Sequence, residues 1–130
     1  MIDHISIGVR DLTAMARFYD SALAPLGYTR LRERPTTIGY GKAYPEFWLN
    51  ARPGMAPVEA DSGTHVCLRA PDKPTVDAFY AAALQAGATA DGAPGLRTQY
   101  HTSYYAAFIR DPEGNRFEVV TFLREADKAP

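Results

Sequence analysis

The chain has 130 residues, which is enough for one compact domain and too short for two of ordinary size. Hydrophobic residues make up 46% and charged residues 22%, a balance typical of globular proteins, and the single cysteine, Cys67, excludes an internal disulfide and a cysteine-only zinc site. Fourteen basic and fifteen acidic side chains give a net charge of −1, which offers no electrostatic reason to expect a nucleic-acid partner.

The start of the chain carries no basic, apolar leader, since it reads Met-Ile-Asp-His. No apolar run approaches the ~18 residues that a membrane span needs. We therefore expect a cytoplasmic protein with a small-molecule partner and no membrane partner.

A strand and a helix open the chain. Residues 2–9 alternate between aliphatic and small or polar side chains, which predicts a strand with His4 on the face away from the aliphatic residues. Apolar residues then recur at helical spacing behind Asp11, the predicted N-cap, as far as Gly27, the predicted stop. Short strands bounded by turns are predicted near 28–33, 37–42 and 45–50.

The same pattern returns in the second half of the chain. Residues 4–23 align with residues 65–84, and the aligned local structure is again a strand followed by a helix. The identical pairs are His4 and His65, Asp11 and Asp72, Phe18 and Phe79, Tyr19 and Tyr80, Ala22 and Ala83, and Leu23 and Leu84. The sequence therefore predicts an α+β fold with two βαβββ modules in tandem.

The second copy ends in a hairpin. Asp-Pro-Glu-Gly at 111–114 suits a type I turn, with Asp first, Pro second and Gly fourth. The helix of the second copy is predicted to start near Pro74 and to end at Gly87. Strands are predicted near 64–70, 88–91, 104–110 and 115–123.

These elements predict one domain over residues 1–123. Module one covers about 1–51 and module two about 64–123, with Pro53–Gly63 as the link between them. The segment Asp91–Ser103, rich in glycine, proline and polar residues, is a candidate lid. Residues 124–130 are charged and are predicted to form a loose tail.

Four residues occupy equivalent positions in the two copies. His4 and His65 begin the copies, and Glu46 and Glu118 lie in the last strand of each. A carboxylate inside an apolar strand is costly to bury unless it is paired or bound to a cation. Two imidazoles and two carboxylates suit zinc, nickel, manganese, cobalt or ferrous iron, so we predict a divalent metal site at His4, Glu46, His65 and Glu118.

The repeated strand and helix, the histidine and glutamate quartet and the Asp-Pro-Glu-Gly-x-x-x-Glu ending resemble the vicinal oxygen chelate superfamily. This superfamily includes glyoxalases, bleomycin-resistance proteins and extradiol dioxygenases. The resemblance covers residues 1–123. It implies that the two modules form a curved mixed sheet with a concave metal-binding cup, and it suggests a homodimer.

The ligand pattern is closest to that of lactoylglutathione lyases. His4, Glu46, His65 and Glu118 fall on ligand positions, and Asn50 matches the asparagine four residues after the first glutamate. Those lyases usually carry an arginine that holds a glutathione carboxylate four residues after the first histidine. Gly8 stands at that position here, so the use of glutathione is an open question.

Other residues are candidates for contacting a substrate. His101, near the end of the candidate lid, is a candidate acid–base group or an ordinary loop histidine, and Trp48 either lines the floor of the cavity or packs in the core. Arg97 is a candidate anion anchor, and Cys67 is read as a small buried apolar group. The predicted substrate-binding residues are Trp48, Asn50, Arg97, Tyr100 and Tyr104.

The resemblance implies a metal-dependent lyase or isomerase. A divalent ion would polarise adjacent substrate oxygens, and Glu118 would serve as general base in a proton transfer through an enediolate-type intermediate. Two alternatives stay open. One is a ferrous extradiol-type dioxygenase using His4, His65 and Glu118, and the other is a metal-independent protein that binds a drug or metabolite.

Overall fold

The computed structural model describes residues 1–128. In the first half of the chain, the elements are β1 (Ile5–Val9), α1 (Leu12–Ala22), β2 (Thr29–Glu33), β3 (Thr37–Gly41) and β4 (Pro45–Ala51). In the second half they are β5 (His65–Arg69), α2 (Lys73–Gln85), β6 (Thr89–Leu96), β7 (Tyr104–Arg110) and β8 (Arg116–Phe122). Short 3-10 helices lie at Ala24–Leu26 and Glu125–Asp127.

The strands form two four-stranded mixed sheets of the same topology. Sheet A has the order β1-β4-β3-β2 and sheet B has the order β5-β8-β7-β6, with the first pair parallel in each and the others antiparallel. The predicted α+β class and the two βαβββ modules are confirmed. The eight strands do not form one continuous sheet among the described residues, because β1 and β5 each pair on one edge only.

An aspartate caps the N-terminus of each helix, because its carboxylate accepts from a backbone N–H that has no partner inside the helix. Asp11 accepts from the N–H of Ala14 at 3.0 Å, and Asp72 accepts from that of Thr75 at 2.9 Å. The predicted cap at Asp11 is confirmed. The first helix ends at Ala22, and a 3-10 turn continues to Gly27, whose φ of 78° favours glycine.

The candidate lid, Asp91–Ser103, is not one irregular segment, because its first six residues belong to a strand. β6 runs from Thr89 to Leu96 and pairs antiparallel with β7. Glycine and proline are compatible with this strand because the register shifts on either side of Gly92, where bulges interrupt the ladder. Only residues 97–103 lie outside regular strand between β6 and β7.

The two modules share one hydrophobic core that lies between the sheets. Phe47 of β4 and Phe117 of β8 meet with ring centroids 5.4 Å apart, and Tyr19 of α1 contacts both rings. All three residues are fully buried. The helices and one face of each sheet build this core together, and the other face of each sheet lies outside it.

The hairpin turn at 111–114 fastens the second module to the first. Gly114 donates its N–H to the Asp111 carbonyl at 2.8 Å, which confirms the predicted turn. The buried Asp111 carboxylate accepts from the hydroxyl of Tyr19 at 2.7 Å and from the side-chain amide and backbone N–H of Asn115, each at 2.9 Å. It also accepts from the backbone N–H of Glu113 at 3.0 Å.

Burial raises the pKa of Asp111, while these four donors oppose that shift by stabilising the carboxylate. Burial, followed by the neighbouring charge of Asp111, raises the pKa of Tyr19. The carboxylate thus links α1 to the start of β8.

The C-terminal residues from Arg124 to Lys128 form a short turn. Arg124 pairs with Asp127 at 3.0 Å across this turn. The rest of the predicted tail, Ala129 and Pro130, lies outside the described residues. No helix in the described part of the chain is long and apolar enough to cross a membrane.

Replacing Asp111 with asparagine tests this link. In Asp111→Asn, an N–H₂ group replaces one of the two accepting oxygens and meets groups that are themselves donors. We therefore expect the free energy of unfolding to fall by about 2 kcal/mol. Urea unfolding followed by circular dichroism measures it. Asp61→Asn, at an exposed loop position, is the matched control and should cost less than about 0.5 kcal/mol. Equal costs for the two variants would contradict this role.

Candidate metal centre

His65 and Glu118 come together on the outer face of sheet B. β5 and β8 are parallel neighbours, and their register places Cys67 opposite Glu118. Alternation then puts His65 on the same face as Glu118, and its Nε2 lies 3.1 Å from Glu118 Oε1. The imidazole is 37% exposed and the carboxylate only 3%.

Glu118 is held on its other oxygen by Tyr104 of β7. The Tyr104 hydroxyl donates to Glu118 Oε2 at 2.5 Å, and burial followed by this contact raises the pKa of the tyrosine. Ala106, Phe108 and Val120 surround the pair with apolar surface. A buried carboxylate in such a setting is stable when paired or bound to a cation, so Glu118 fits the role of a metal ligand.

Cys67 lies beside the same carboxylate. Burial of its sulfur and the Glu118 charge raise the pKa of the thiol to about 12, although the residue as a whole is exposed. The thiol is therefore protonated at neutral pH and is a poor nucleophile. The prediction that Cys67 is a buried residue is wrong, because the residue is exposed.

His4 lies on the outer face of the other sheet. Its Nδ1 is 2.7 Å from the carboxylate of Asp3, and its side chain is half exposed. His4, Trp48 and Thr37 line an open pocket of about 240 Å³. The Arg34 guanidinium also borders this pocket and lies 5.8 Å from the centroid of the Trp48 ring. Trp48 thus lines a pocket instead of packing in the core.

Asn50 and Glu46 occupy the same strand, β4. Asn50 donates to the Ser6 hydroxyl at 2.7 Å and to the Ile7 carbonyl at 3.0 Å, so it ties β4 to β1. Glu46 lies beside Tyr28, and burial together with this carboxylate raises the pKa of Tyr28 to about 12. The continuation of the β1–β4 register places His4 across from Glu46, since Ile5 pairs with Phe47.

The four predicted ligands are not gathered within one chain. His4 precedes β1 and Glu46 lies in β4, both on the side of sheet A, whereas His65 and Glu118 lie in β5 and β8 of sheet B. No group of three or more histidine, cysteine, aspartate or glutamate side chains that could hold a metal occurs within residues 1–128. The structure brings together one pair of the predicted set.

An aromatic cluster extends from Tyr104 along the same face. Tyr100 packs on Tyr104 with centroids 5.2 Å apart, and Phe122 packs on Tyr104 at 5.4 Å. His101 contacts Phe122 at 5.6 Å, and its Nδ1 accepts from the backbone N–H of Ser103 at 3.0 Å. The neutral ring therefore carries its proton on Nε2, where it can be donated.

The sequence interpretation missed Phe108 and Arg116. Phe108 lies opposite Glu118 in the β7–β8 register, and the His65 ring is 6.5 Å from it. The Arg116 guanidinium lies 5.4 Å from the Phe108 ring and that of Arg97 lies at 5.5 Å. Alternation from Tyr104 through β7 would have placed Phe108 on this face.

Comparison with known proteins agrees with this fold. Residues 1–119 match the sequence profile of the Glyoxalase/Bleomycin resistance protein/Dioxygenase superfamily. The metallothiol transferase FosB of Shouchella clausii (strain KSM-K16) is 30% identical over 126 residues, covering 92% of this chain and 79% of that protein.

Solved structures give the same result. A glyoxalase/bleomycin resistance protein from Albidiferax ferrireducens T118 is 28% identical with a TM-score of 0.77, over 91% of this chain and 95% of that one. A bleomycin resistance determinant encoded on the transposon Tn5 shares the fold, with 20% identity and a TM-score of 0.62 over 92% and 95% of the two chains. The chain belongs to the glyoxalase/bleomycin resistance protein/dioxygenase superfamily.

Proposed function

We propose that this protein is a glyoxalase-like, metal-dependent enzyme whose active centre is completed by a second copy of the chain. His65 and Glu118 of one copy and His4 of the other are the ligands. The observation that carries this is the imidazole 3.1 Å from an almost fully buried carboxylate, which lies beside the buried apolar cluster of Ala106, Phe108 and Val120. Two imidazoles and a carboxylate suit zinc, nickel, manganese, cobalt or ferrous iron.

In this proposal a second copy of the chain supplies the His4 ligand to the His65–Glu118 pair. β1 and β5 each leave one edge unpaired among the described residues, and an unpaired edge favours association with another chain. A twofold dimer that sets sheet A of each copy against sheet B of the other creates two equal centres. Glu46 lies across from His4 and becomes a fourth ligand in this arrangement when its side chain rotates away from Tyr28.

The ion, when bound, supplies Lewis acidity that polarises substrate oxygens and stabilises negative charge on them. Tyr104 fixes the orientation of Glu118 by donating to Oε2. Glu118 then takes a proton from the carbon beside a polarised carbonyl and returns it to the neighbouring carbon. His101, with its proton on Nε2, donates to a substrate oxygen at the rim.

Thiol transfer is a second candidate reaction, because a relative at 30% identity is a metallothiol transferase. In that case a thiol sulfur attacks an electrophilic carbon, a carbon–sulfur bond forms, a carbon–oxygen bond breaks, and the proton lost by the thiol passes to the leaving oxygen. This reaction needs the ligands but no carboxylate base.

Metal content tests the ligand set. Protein expressed without a histidine tag should carry about one divalent ion per chain, and Glu118→Gln should lose most of it because the amide is a weak ligand. Plasma mass spectrometry measures both. Glu59→Gln, at an exposed loop position, is the control and should keep its metal. Protein that takes up no metal even after reconstitution would contradict the proposal and favour a binding protein.

Mixing variants tests whether the centre is shared. His4→Ala and His65→Ala each break every centre alone, but a mixed dimer collects both changes in one centre and leaves the other intact. Co-refolding equal amounts should restore about a quarter of the sites, since about half of the dimers are mixed. Metal content after dialysis is the readout.

The matched control is a mixture of His65→Ala and Glu118→Gln. These ligands come from the same copy, so every mixed dimer has two broken centres and no metal should return. Recovery in both mixtures, or in neither, would contradict the shared centre.

The two candidate reactions are separated by substrate. Isomerisation predicts that a hemithioacetal becomes a thioester, with 2-mercaptoethanol serving about as well as glutathione because Gly8 replaces the usual arginine. Thiol transfer predicts opening of a small epoxide by a thiol. The isomerase rate should fall about 10³-fold in Glu118→Gln reloaded with metal. Metal-loaded protein that catalyses neither reaction would contradict both.

A further inference from the structure

We propose that the groove between α1 and the β2–β3 hairpin is a second binding site, which takes a small anion with an apolar chain and acts on the His4 pocket through Arg34. The two cavities lie on opposite faces of sheet A, because Ile38 lines the groove and its neighbour in β3, Thr37, lines the His4 pocket. The inference goes beyond the proposed function and does not depend on a bound metal.

The groove has the size and the apolar surface of a ligand site. Its volume is about 350 Å³, which is within the range of small-molecule pockets. Ala16 of α1 and Ile38 of β3 are buried and line it together with half-buried Leu12. These three side chains form an apolar floor that the aliphatic part of a ligand would cover.

Guanidinium groups surround this floor. Arg17 of α1, Arg30 of β2 and Arg34 of the hairpin loop all line the groove, and Glu33 lies among them. Arg30 is already neutralised, because its Nε and Nη2 each bind the Asp20 carboxylate at 2.7 Å and its Nη1 binds Glu33 at 3.0 Å. The charges that a ligand can use are therefore those of the other two arginines.

Arg17 and Arg34 remain available to a ligand. No ion pair within residues 1–128 includes either of them, and both are exposed. A planar guanidinium matches the oxygens of a carboxylate or a phosphate, and the Thr13 hydroxyl at the same groove supplies a further donor. Two cations above an apolar floor fit an amphipathic anion better than a neutral ligand.

Arg34 borders both cavities. It lines the groove with Arg17, and it also lines the His4 pocket, where its guanidinium lies 5.8 Å from the centroid of the Trp48 ring. Its backbone is fixed, because its N–H donates to the Thr37 carbonyl at 2.9 Å across the hairpin loop. The long side chain can therefore turn toward either cavity from one anchored position.

An anion in the groove competes with Trp48 for this side chain. An exposed contact between a guanidinium and an indole is weaker than a two-point hydrogen bond from a guanidinium to an oxyanion. Occupation of the groove thus removes the Arg34 guanidinium from Trp48. The His4 pocket then becomes wider and loses one positive charge, so the two cavities are coupled through one side chain.

Titration with hexyl phosphate, hexanoate and neutral 1-hexanol tests the proposal on the full-length protein after a chelator has removed metal. Trp48 is the single tryptophan of the chain, so its emission reports the departure of Arg34, and the amide NMR shifts of residues 12–17 report occupation of the groove. We expect saturable binding of an anion in both signals, with 1-hexanol at least about tenfold weaker. The preferred anion assigns the head group as a phosphate or a carboxylate.

Two matched variants locate the site. Arg17→Gln should weaken anion binding about tenfold, because it removes a charge-assisted hydrogen bond at a residue that does not line the His4 pocket. Arg32→Gln is the control in the same hairpin, where the Arg32 Nη1 donates to the Leu31 carbonyl at 2.7 Å. It should change the affinity less than about twofold at about 0.15 M salt, which screens exposed charges.

A third variant tests the coupling. Arg34→Gln should weaken the binding detected by NMR and abolish the response of Trp48 emission. No saturable binding of either anion, equal binding of 1-hexanol, or equal loss in Arg17→Gln and Arg32→Gln would overturn the binding site. Binding detected by NMR that leaves Trp48 emission unchanged in the unmodified protein would overturn the coupling. Because the protein is metal-free here, these outcomes are independent of the metal-content test.

Discussion

The shared core between the two sheets decides where a site can form in this chain. Each sheet uses its apolar face to bury residues such as Phe47 and Phe117 against the other. Because side chains alternate along a strand, the polar residues between them must face outward. One chain thereby presents the two half-sites of the proposed centre: the His4 side of sheet A and the His65–Glu118 side of sheet B.

The hairpin turn at 111–114 fixes the register on which the second half-site depends. Asp111 receives the Tyr19 hydroxyl from α1, and the Glu113 carboxylate accepts the backbone N–H groups of Arg10 at 2.7 Å and Asp11 at 2.8 Å. These contacts cross from module two to the junction of β1 and α1. They hold β8 at its start and so place Glu118 beside β5 and β7, which makes this acidic turn structural instead of catalytic.

The sequence predicted most of the fold because its signals are local. Strand alternation, the aspartate cap at Asp11 and the turn at 111–114 depend on neighbours within a few residues, and each agrees with the structure. The strand predicted near 88–91 continues to Leu96 as the bulged strand β6, an extension that the sequence does not predict because glycine and proline usually mark loops, whereas here the β7 ladder holds them extended. The repeat identified equivalent ligand positions but not which sheet faces meet, since that depends on contacts between distant modules.

In the proposed dimer, the chemistry depends on assembly because the centre is shared between two copies of the chain. The His65 imidazole on sheet B is 37% exposed, and water weakens the charge interactions of the His65–Glu118 pair. A second sheet laid over that face excludes water, lowers the local dielectric and strengthens every charge interaction beneath it. The same step brings His4 to the pair. In the proposed dimer, only the assembled pair of chains therefore holds the complete ligand set.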